Sequence, residues 1–390
     1  MINNISENIF YVGVDDHDVD LFEAHFDVPN GMAYNSYIIV DEKIAVCDAM
    51  ELGKIDLWMA NISEVIGDRN PDYLVITHME PDHSAAIDIF CSKYPNVTIV
   101  GNTKTFNMID NFFPAMKHEN RLVVKEGDVL ELGVHSLEIM MAPMIHWPEV
   151  MMCYEKHTKT LFSADAFGKF GALDVEDDWA CEARRYYFGI VGKYGVQTQA
   201  VLKKIEHHDI KTICSLHGPV LKENIEYYIN LYDIWSSYRP ESEGVCLFYT
   251  SVYGHTKDAA LKLEKLLLER GVPKVAVADL VRDDMAEAVE DAFRYDTLVL
   301  ATTTYNAEMF PKMKIFIDEL KERNYQNRRV AFIENGSWAP TAKKCMKSAM
   351  ESLKNIEFVE QEVTIKSALN EDSEQALVQL ADAIAGKYKK

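Results

Sequence analysis

The segment Leu74-Val75-Ile76-Thr77-His78-Met79-Glu80-Pro81-Asp82-His83 runs from β-forming residues straight into a cluster of metal-binding side chains. Leu74 to Thr77 is apolar and β-branched, which predicts a strand. His78, Glu80, Asp82 and His83 follow it, and their spacing does not place them on one face of a helix. Pro81 disfavours helical geometry at Glu80. The expectation is a loop at a strand end, free to wrap around two ions. A lone histidine is more often a satisfied polar residue than a ligand. Four ligand types packed this closely change that balance.

Working outward, the first part of the chain predicts strands over 9–12, 34–40, 44–48, 74–77, 97–101, 137–141, 150–155 and 160–163, from their β-branched and aromatic content. Short polar turns join 34–40 to 44–48 and 150–155 to 160–163, which reads as two hairpins. Helices are expected near 53–66, 84–92, 103–112, 195–207 and 222–236. Hairpins mixed with helices imply a mixed sheet. The polar stretch 236–244, SSYRPESEG, reads as a linker. Beyond it five strands (245–249, 275–278, 297–301, 329–334, 358–365) alternate with five helices (about 256–270, 284–293, 312–323, 342–353, 371–387). That alternation is a doubly wound parallel sheet. The expected domains are therefore 1–240 and 244–390.

In the second domain, the first strand leads through Thr250, Ser251, Val252, Tyr253, Gly254, His255 and Thr256 into a helix. Such a junction presents backbone N–H groups and a positive helix end to an anion. The loop lacks the lysine of a triphosphate-binding P-loop and does not fit G-x-G-x-x-G, so a single phosphate monoester suits it best. Loops after the third and fourth strands read Thr302-Thr303-Thr304-Tyr305-Asn306 and Asn335-Gly336-Ser337-Trp338. A Tyr and a Trp on neighbouring loops can sandwich a flat ring. Together the three loops resemble the flavodoxin family across 244–390. That resemblance implies bound FMN, with Ser251, Tyr253, Gly254, His255 and Thr256 at its phosphate. Thr303, Thr304, Tyr305, Asn306, Gly336, Ser337 and Trp338 would flank the isoalloxazine.

The motif at 78–83 resembles the H-x-[HE]-x-D-H signature of the metallo-β-lactamase fold. The resemblance implies further ligands on later loops: His146 in Met144-Ile145-His146-Trp147-Pro148, Asp165 after Ser163-Ala164, and His217 in Leu216-His217-Gly218-Pro219. It groups His78, Glu80 and His146 at one metal and Asp82 with His217 at the other, bridged by Asp165. His83 joins the second metal in some relatives and not in others. Hydrolases of this fold usually carry histidine where Glu80 stands; a carboxylate is a harder ligand and shifts preference from zinc toward iron.

A glutamate-substituted metallo-β-lactamase-like αββα sandwich joined to a flavodoxin-like doubly wound sheet, an α/β chain overall, resembles the flavodiiron proteins along its whole length. The resemblance implies reduction of O₂ to water, of NO to N₂O, or both, at a non-haem diiron site with electrons relayed by FMN. Four electrons per O₂ would come from two ferrous ions and a doubly reduced flavin; two NO need only two. The resemblance further implies proton donors at His25 and Tyr194, and a head-to-tail homodimer or dimer of dimers. The electron donor would be rubredoxin, with an NADH:flavin reductase or a reduced deazaflavin as alternatives. Two rival readings are a binuclear zinc hydrolase with an appended flavin domain, and a non-enzymatic flavin module with a vestigial metal loop.

Composition agrees. The chain has 390 residues, 48% of them hydrophobic, which suits two or three globular domains. Forty basic and 62 acidic side chains leave a formal charge of −22, unsuited to binding nucleic acid. Its 7 cysteines form no C-x-x-C pair, which argues against a disulfide scaffold, a zinc ribbon or a rubredoxin-type site of its own. Reduced thiols fit a cytoplasmic protein. The amino terminus lacks the features of a secretory signal, and no apolar run suffices to span a bilayer.

Overall fold

A computed structural model describes residues 2–389 and divides into two compact units, Met1–Asp233 and Ile234–Lys390. In the first unit two sheets face each other. One runs Asn3–Ser6, Ile9–Tyr11, Tyr37–Val40, Ile44–Cys47, Tyr73–Val75, Thr98–Gly101 and Arg121–Val123 in spatial order. The other runs Val129–Glu131, Ser136–Met141, Met151–Glu155, Thr160–Phe162 and Thr212–Cys214. Each sheet is antiparallel at its first strands and parallel at its last, so the expectation of mixed sheets holds. Alternate side chains of both sheets meet in one core that includes Tyr37, Ile39, Cys47, Val75, Ile139, Met151, Cys153, Phe162 and Cys214. Burial of this apolar surface at about 25 cal/mol per Å² holds the sandwich shut. Both expected hairpins form, with Tyr37 opposite Cys47 and Cys153 opposite Phe162.

The second unit is a parallel sheet ordered Val275–Asp279, Ser242–Tyr249, Tyr295–Tyr305, Arg328–Asn335, Ile356–Phe358. The first strand of the unit thus lies between the second and the third, the flavodoxin-like order. In sheets of this order ligands bind beyond the carboxyl ends of the strands. No helix of the described residues is long and apolar enough to cross a membrane.

Several expectations need correction. Pro81 keeps Glu80 out of helical geometry as expected, but the motif is not all loop: Pro81–Ser84 is a short helical turn with Glu80 as its N-cap. Proline is tolerated at the first helical position because the N–H it lacks would have no intrahelical partner there. The stretch 236–244 is only partly a linker, since the strand begins at Ser242, which pairs with Tyr295 across a register shift. The expected strand 358–365 is two pieces, Ile356–Phe358 and Val363–Ile365, each parallel to Arg328–Asn335. Between them lies Glu362, drawn to Lys343 and Lys347 at 3.0 and 3.4 Å. Thr302, Thr303, Thr304 and Tyr305 continue the third strand, which folds back on Glu308–Met309. Tyr34 belongs to a separate ribbon, Met32–Tyr34 with Val14–Asp16, and a second ribbon joins Leu21–Phe22 to Phe26–Asp27. The helix Trp179–Tyr186 was not anticipated either.

Candidate metal centre

The seven residues singled out converge where strands of the two sheets end. His78 follows Tyr73–Val75, His146 lies in the connection between Ser136–Met141 and Met151–Glu155, Asp165 follows Thr160–Phe162 and His217 follows Thr212–Cys214. The ligand atoms of His78, Glu80, His146 and Asp165 all lie within 4.8 Å of one another, and those of Asp82, His83 and His217 form a second such group. In the first, His146 Nε2 is 2.9 Å from Glu80 Oε2, and His78 Nε2 is 3.2 Å from both Glu80 Oε2 and Asp165 Oδ2. In the second, Asp82 Oδ2 lies 3.2 Å from His83 Nε2 and 3.3 Å from His217 Nε2. Asp165 joins the groups: Oδ2 is 3.3 Å from His146 Nε2 and Oδ1 is 3.8 Å from His83 Nε2.

The electrostatics of this cluster call for positive charge. Asp165 is fully buried, and burial would raise its pKa, yet the imidazoles of His78, His146 and His83 hold it well below the usual range. Burial likewise opposes charge on His78 and His146, but the facing carboxylates overcome it: His78 is held well above its ordinary value and His146 is raised to about 9. His83 goes the other way, lowered to about 4, chiefly by burial. Its Nε2 points at His217 Nε2 at 3.0 Å, so two ring nitrogens share one small space. Both oxygens of Asp82 and of Asp165 lack a well-aligned hydrogen-bond donor. Buried carboxylate oxygens are rarely left so. Four imidazoles and three carboxylates gathered in two close groups suit a pair of divalent cations.

Support for the ligands comes from residues that sequence reasoning passed over. Buried Glu149 accepts from His78 Nδ1 and from the Met79 N–H through one oxygen, at 2.9 Å each. This fixes the tautomer that leaves His78 Nε2 for a metal, the usual carboxylate–histidine arrangement around metals. Asp48, at the end of Ile44–Cys47, accepts from the backbone and hydroxyl of Thr77 at 2.7 and 2.6 Å and from the His78 N–H at 3.2 Å. The carbonyl of Ala33 accepts from His217 Nδ1 at 2.8 Å. Glu23, in the turn of the Leu21–Phe22 ribbon, shares a hydrogen bond with Glu80; burial and that neighbour raise its pKa to about 7. Glu149 was the most readable of these, as a lone acid before the apolar run 150–153. His25 is exposed and packs edge-on against Phe26, while Tyr194 accepts from Thr198 through its carbonyl. Among the described residues neither makes a hydrogen bond or ion pair to the cluster.

In the second unit, Gly254 caps the helix His255–Glu269 with φ +98°, a conformation glycine adopts without strain. Its N–H donates to Ser251 Oγ at 3.0 Å, and Thr256 is buried in the first turn while Tyr253 and His255 are exposed. Asn306 and Ala307, both at positive φ, form the turn that leaves Tyr305 half exposed. Thr303 Oγ1 reaches the Asn335 carbonyl, and Thr304 Oγ1 accepts from the N–H groups of Thr341 and Ala342 at the next helix. After buried Gly336, Ser337 accepts from Ser367 Oγ at 2.8 Å, and Trp338 is 92% exposed. Tyr253 is 90% exposed. Large aromatic rings so exposed beside a helix amino terminus suit a flat, phosphate-bearing ligand.

A family model described as "ODP family beta lactamase" matches residues 32–218. The chain is 28% identical over 323 residues to an uncharacterised protein of Methanocaldococcus jannaschii, covering 81% of each. It is 31% identical over 296 residues to diflavin flavoprotein A 1 of Synechocystis, covering 73% of this chain and 51% of that one. To the anaerobic nitric oxide reductase flavorubredoxin of Escherichia coli it is 28% identical over 350 residues, covering 86% and 72%. The chain thus spans only about half the length of the Synechocystis relative. Among solved structures, rubredoxin oxygen:oxidoreductase of Desulfovibrio gigas superposes with TM-score 0.92 at 22% identity over 99% of this chain and 98% of that one. The flavodiiron protein of Giardia intestinalis superposes with TM-score 0.88, also at 22% identity, over 100% and 99%. At such identities the superpositions establish the fold: a lactamase-like unit followed by a flavodoxin-like one. With the family model and the relatives, they support a flavodiiron protein.

Proposed function

We propose that this chain is an oxidoreductase that reduces O₂, NO or both at a pair of non-haem irons, with electrons relayed by FMN in the second unit. The observation that carries the reading is the shape of the donor set: two groups of inward-facing side chains, three and four strong, joined by the two oxygens of Asp165. His78, Glu80 and His146 would hold one iron, Asp82, His83 and His217 the other. Glu80 in place of a nitrogen donor favours iron over zinc. When bound, two ferrous ions and a doubly reduced flavin supply the four electrons that O₂ requires.

The chain's own residues keep the site rigid. Glu149 and Asp48 hold the backbone and ring of His78, and Ala33 fixes the ring of His217. Phe22, Phe170 and Tyr186 wall the second group with aromatic surface, which excludes bulk water from a small apolar gas site. Ser251, Gly254 and Thr256 would cradle the FMN phosphate, and Tyr305 and Trp338 would flank its ring. Rubredoxin is the donor that best fits the relatives' names, and a head-to-tail homodimer would bring a flavin to a neighbour's irons; light scattering of the active protein tests the latter. The decisive experiment is to load the protein with iron and FMN, reduce it anaerobically and measure O₂ and NO consumption on one preparation. Turnover of either gas is expected; an active preparation holding zinc without iron, and hydrolysing thioesters or lactams, would replace the proposal with the hydrolase.

A further inference from the structure

We propose that Asn35 is a positioning residue for the second metal position, a clamp on the loop that carries His217; the inference rests on the dimetal reading above. Asn35 follows the ribbon strand Met32–Tyr34 and is fully buried. Its Nδ2 donates to the carbonyls of Ser215 and Gly218 at 2.8 Å each, one on either side of His217. Its backbone N–H donates to the Leu216 carbonyl at 2.9 Å. One residue thus meets three of the four carbonyls of a buried loop, and the fourth, that of His217, accepts from Ser215 Oγ at 2.6 Å. Neighbours of Asn35 finish the grip. The Ala33 carbonyl takes the His217 ring at 2.8 Å, and the Tyr37 hydroxyl donates to the Ser215 carbonyl at 2.6 Å.

The amide is the group this place requires. Two carbonyl oxygens facing one atom need a donor with two protons, which a planar NH₂ supplies. Aspartate would set acceptors against acceptors, and serine offers a single proton. The far side of the loop is closed as well. Gly218 stands at φ +80°, and an added Cβ would fall 2.7 Å from Lys169 Cγ; one added at Gly168 would lie 3.5 Å from His217 Cβ. The loop is pressed between Asn35 and the segment that follows Asp165. All three Asn35 bonds end on this loop and none on the first group, so its loss should be felt where His217 binds. Partners that orient a ligand in this way are worth about 10- to 100-fold in metal affinity.

The test is anaerobic chelator competition for ferrous iron. Wild-type protein should hold two ions per chain, and Asn35→Ala should release one of them about tenfold more readily. Asn35→Ser, which keeps one proton and disturbs packing less, should show a smaller loss, about threefold, and serves if the alanine variant does not fold. Acting through His217, Asn35 should matter only while His217 is present. In a His217→Ala background, adding Asn35→Ala should change the affinity for the remaining ion less than twofold. A tenfold loss that persisted in that background would show a general weakening of the fold and overturn the inference. So would affinities within about twofold of wild type in both Asn35 variants, with wild-type loading intact. Wild-type protein that takes up fewer than two irons per chain would overturn the dimetal reading, and the inference with it.

Discussion

Glu149 offers the sharpest quantitative test of how the cluster is built. Its side chain is buried and one oxygen receives both His78 Nδ1 and the Met79 N–H at 2.9 Å. Glu149→Ala leaves these two buried donors unpaired, each at a cost of about 1–3 kcal/mol, so the metal-free protein should lose about 2–6 kcal/mol. For a unit of this size each kcal/mol moves Tm by about 2–4 °C, which predicts a fall of at least about 4 °C by calorimetry. Glu149→Gln keeps an acceptor oxygen in place and should lose about 1 kcal/mol, the difference between a charged and a neutral acceptor. Metal affinity separates the two roles of this carboxylate. A neutral amide no longer sharpens the basicity of His78, so chelator competition should show affinity at the first metal position falling about 10- to 100-fold in both variants. If Glu149→Ala melted with the wild type and kept its metal affinity within about twofold, the carboxylate would not be orienting His78, and the account of the first metal position would fail.

Asn102 is the N-cap of Thr103–Phe112, accepting from Lys104 and Thr105, and its amide also donates to the Glu149 carbonyl at 2.5 Å. Asn102→Asp keeps the cap and loses that donor, so it should lower metal affinity with less loss of Tm than Asn102→Ala, which also removes a cap of about 1 kcal/mol. Gly254→Ala meets no atom within 4 Å but must hold φ +98°; it should cost about 1 kcal/mol in the second unit and weaken FMN binding, read by fluorescence titration, without changing iron content. Cys47, Cys153, Cys214 and Cys246 are buried with thiol pKa values raised mainly by burial, and Cys91 is pushed up to about 12 by the same cause. At pH 8 these five should stay silent to a thiol reagent in native protein and react after unfolding in guanidinium; prompt native reaction would contradict the packing.

What could be read from the sequence was whatever local spacing encodes. The strict alternation after residue 244 gave the doubly wound sheet, and a dense motif after Tyr73–Val75 gave four donors at once. His146, Asp165 and His217 were readable only through resemblance, because each stands alone in its loop and any one of them would pass for a turn residue. Glu149, Asp48, Glu23 and Tyr186 escaped because their roles depend on what folds over them: Glu149 reaches back to a residue 71 positions earlier. Pro81 was read only for the helix it bars at Glu80, which stays extended, and its second role, starting the turn Pro81–Ser84, was passed over. The broken last strand was hidden because its polar interruption at Glu362 is answered by lysines on a separate helix.

The candidate ligands come from four stretches of chain between His78 and His217, and the last follows the strand Thr212–Cys214, which pairs parallel to Thr160–Phe162. No shorter fragment carries both halves of the cluster. The nascent chain must therefore expose residue 217 before a full complement of iron can be captured, and a ribosome-bound intermediate short of it would hold one complete group with only Asp82 and His83 of the other. Once loaded, the metals would act as a clasp on the whole sandwich, since opening either sheet releases them. Iron supply would then govern the lifetime of the folded unit as well as its chemistry.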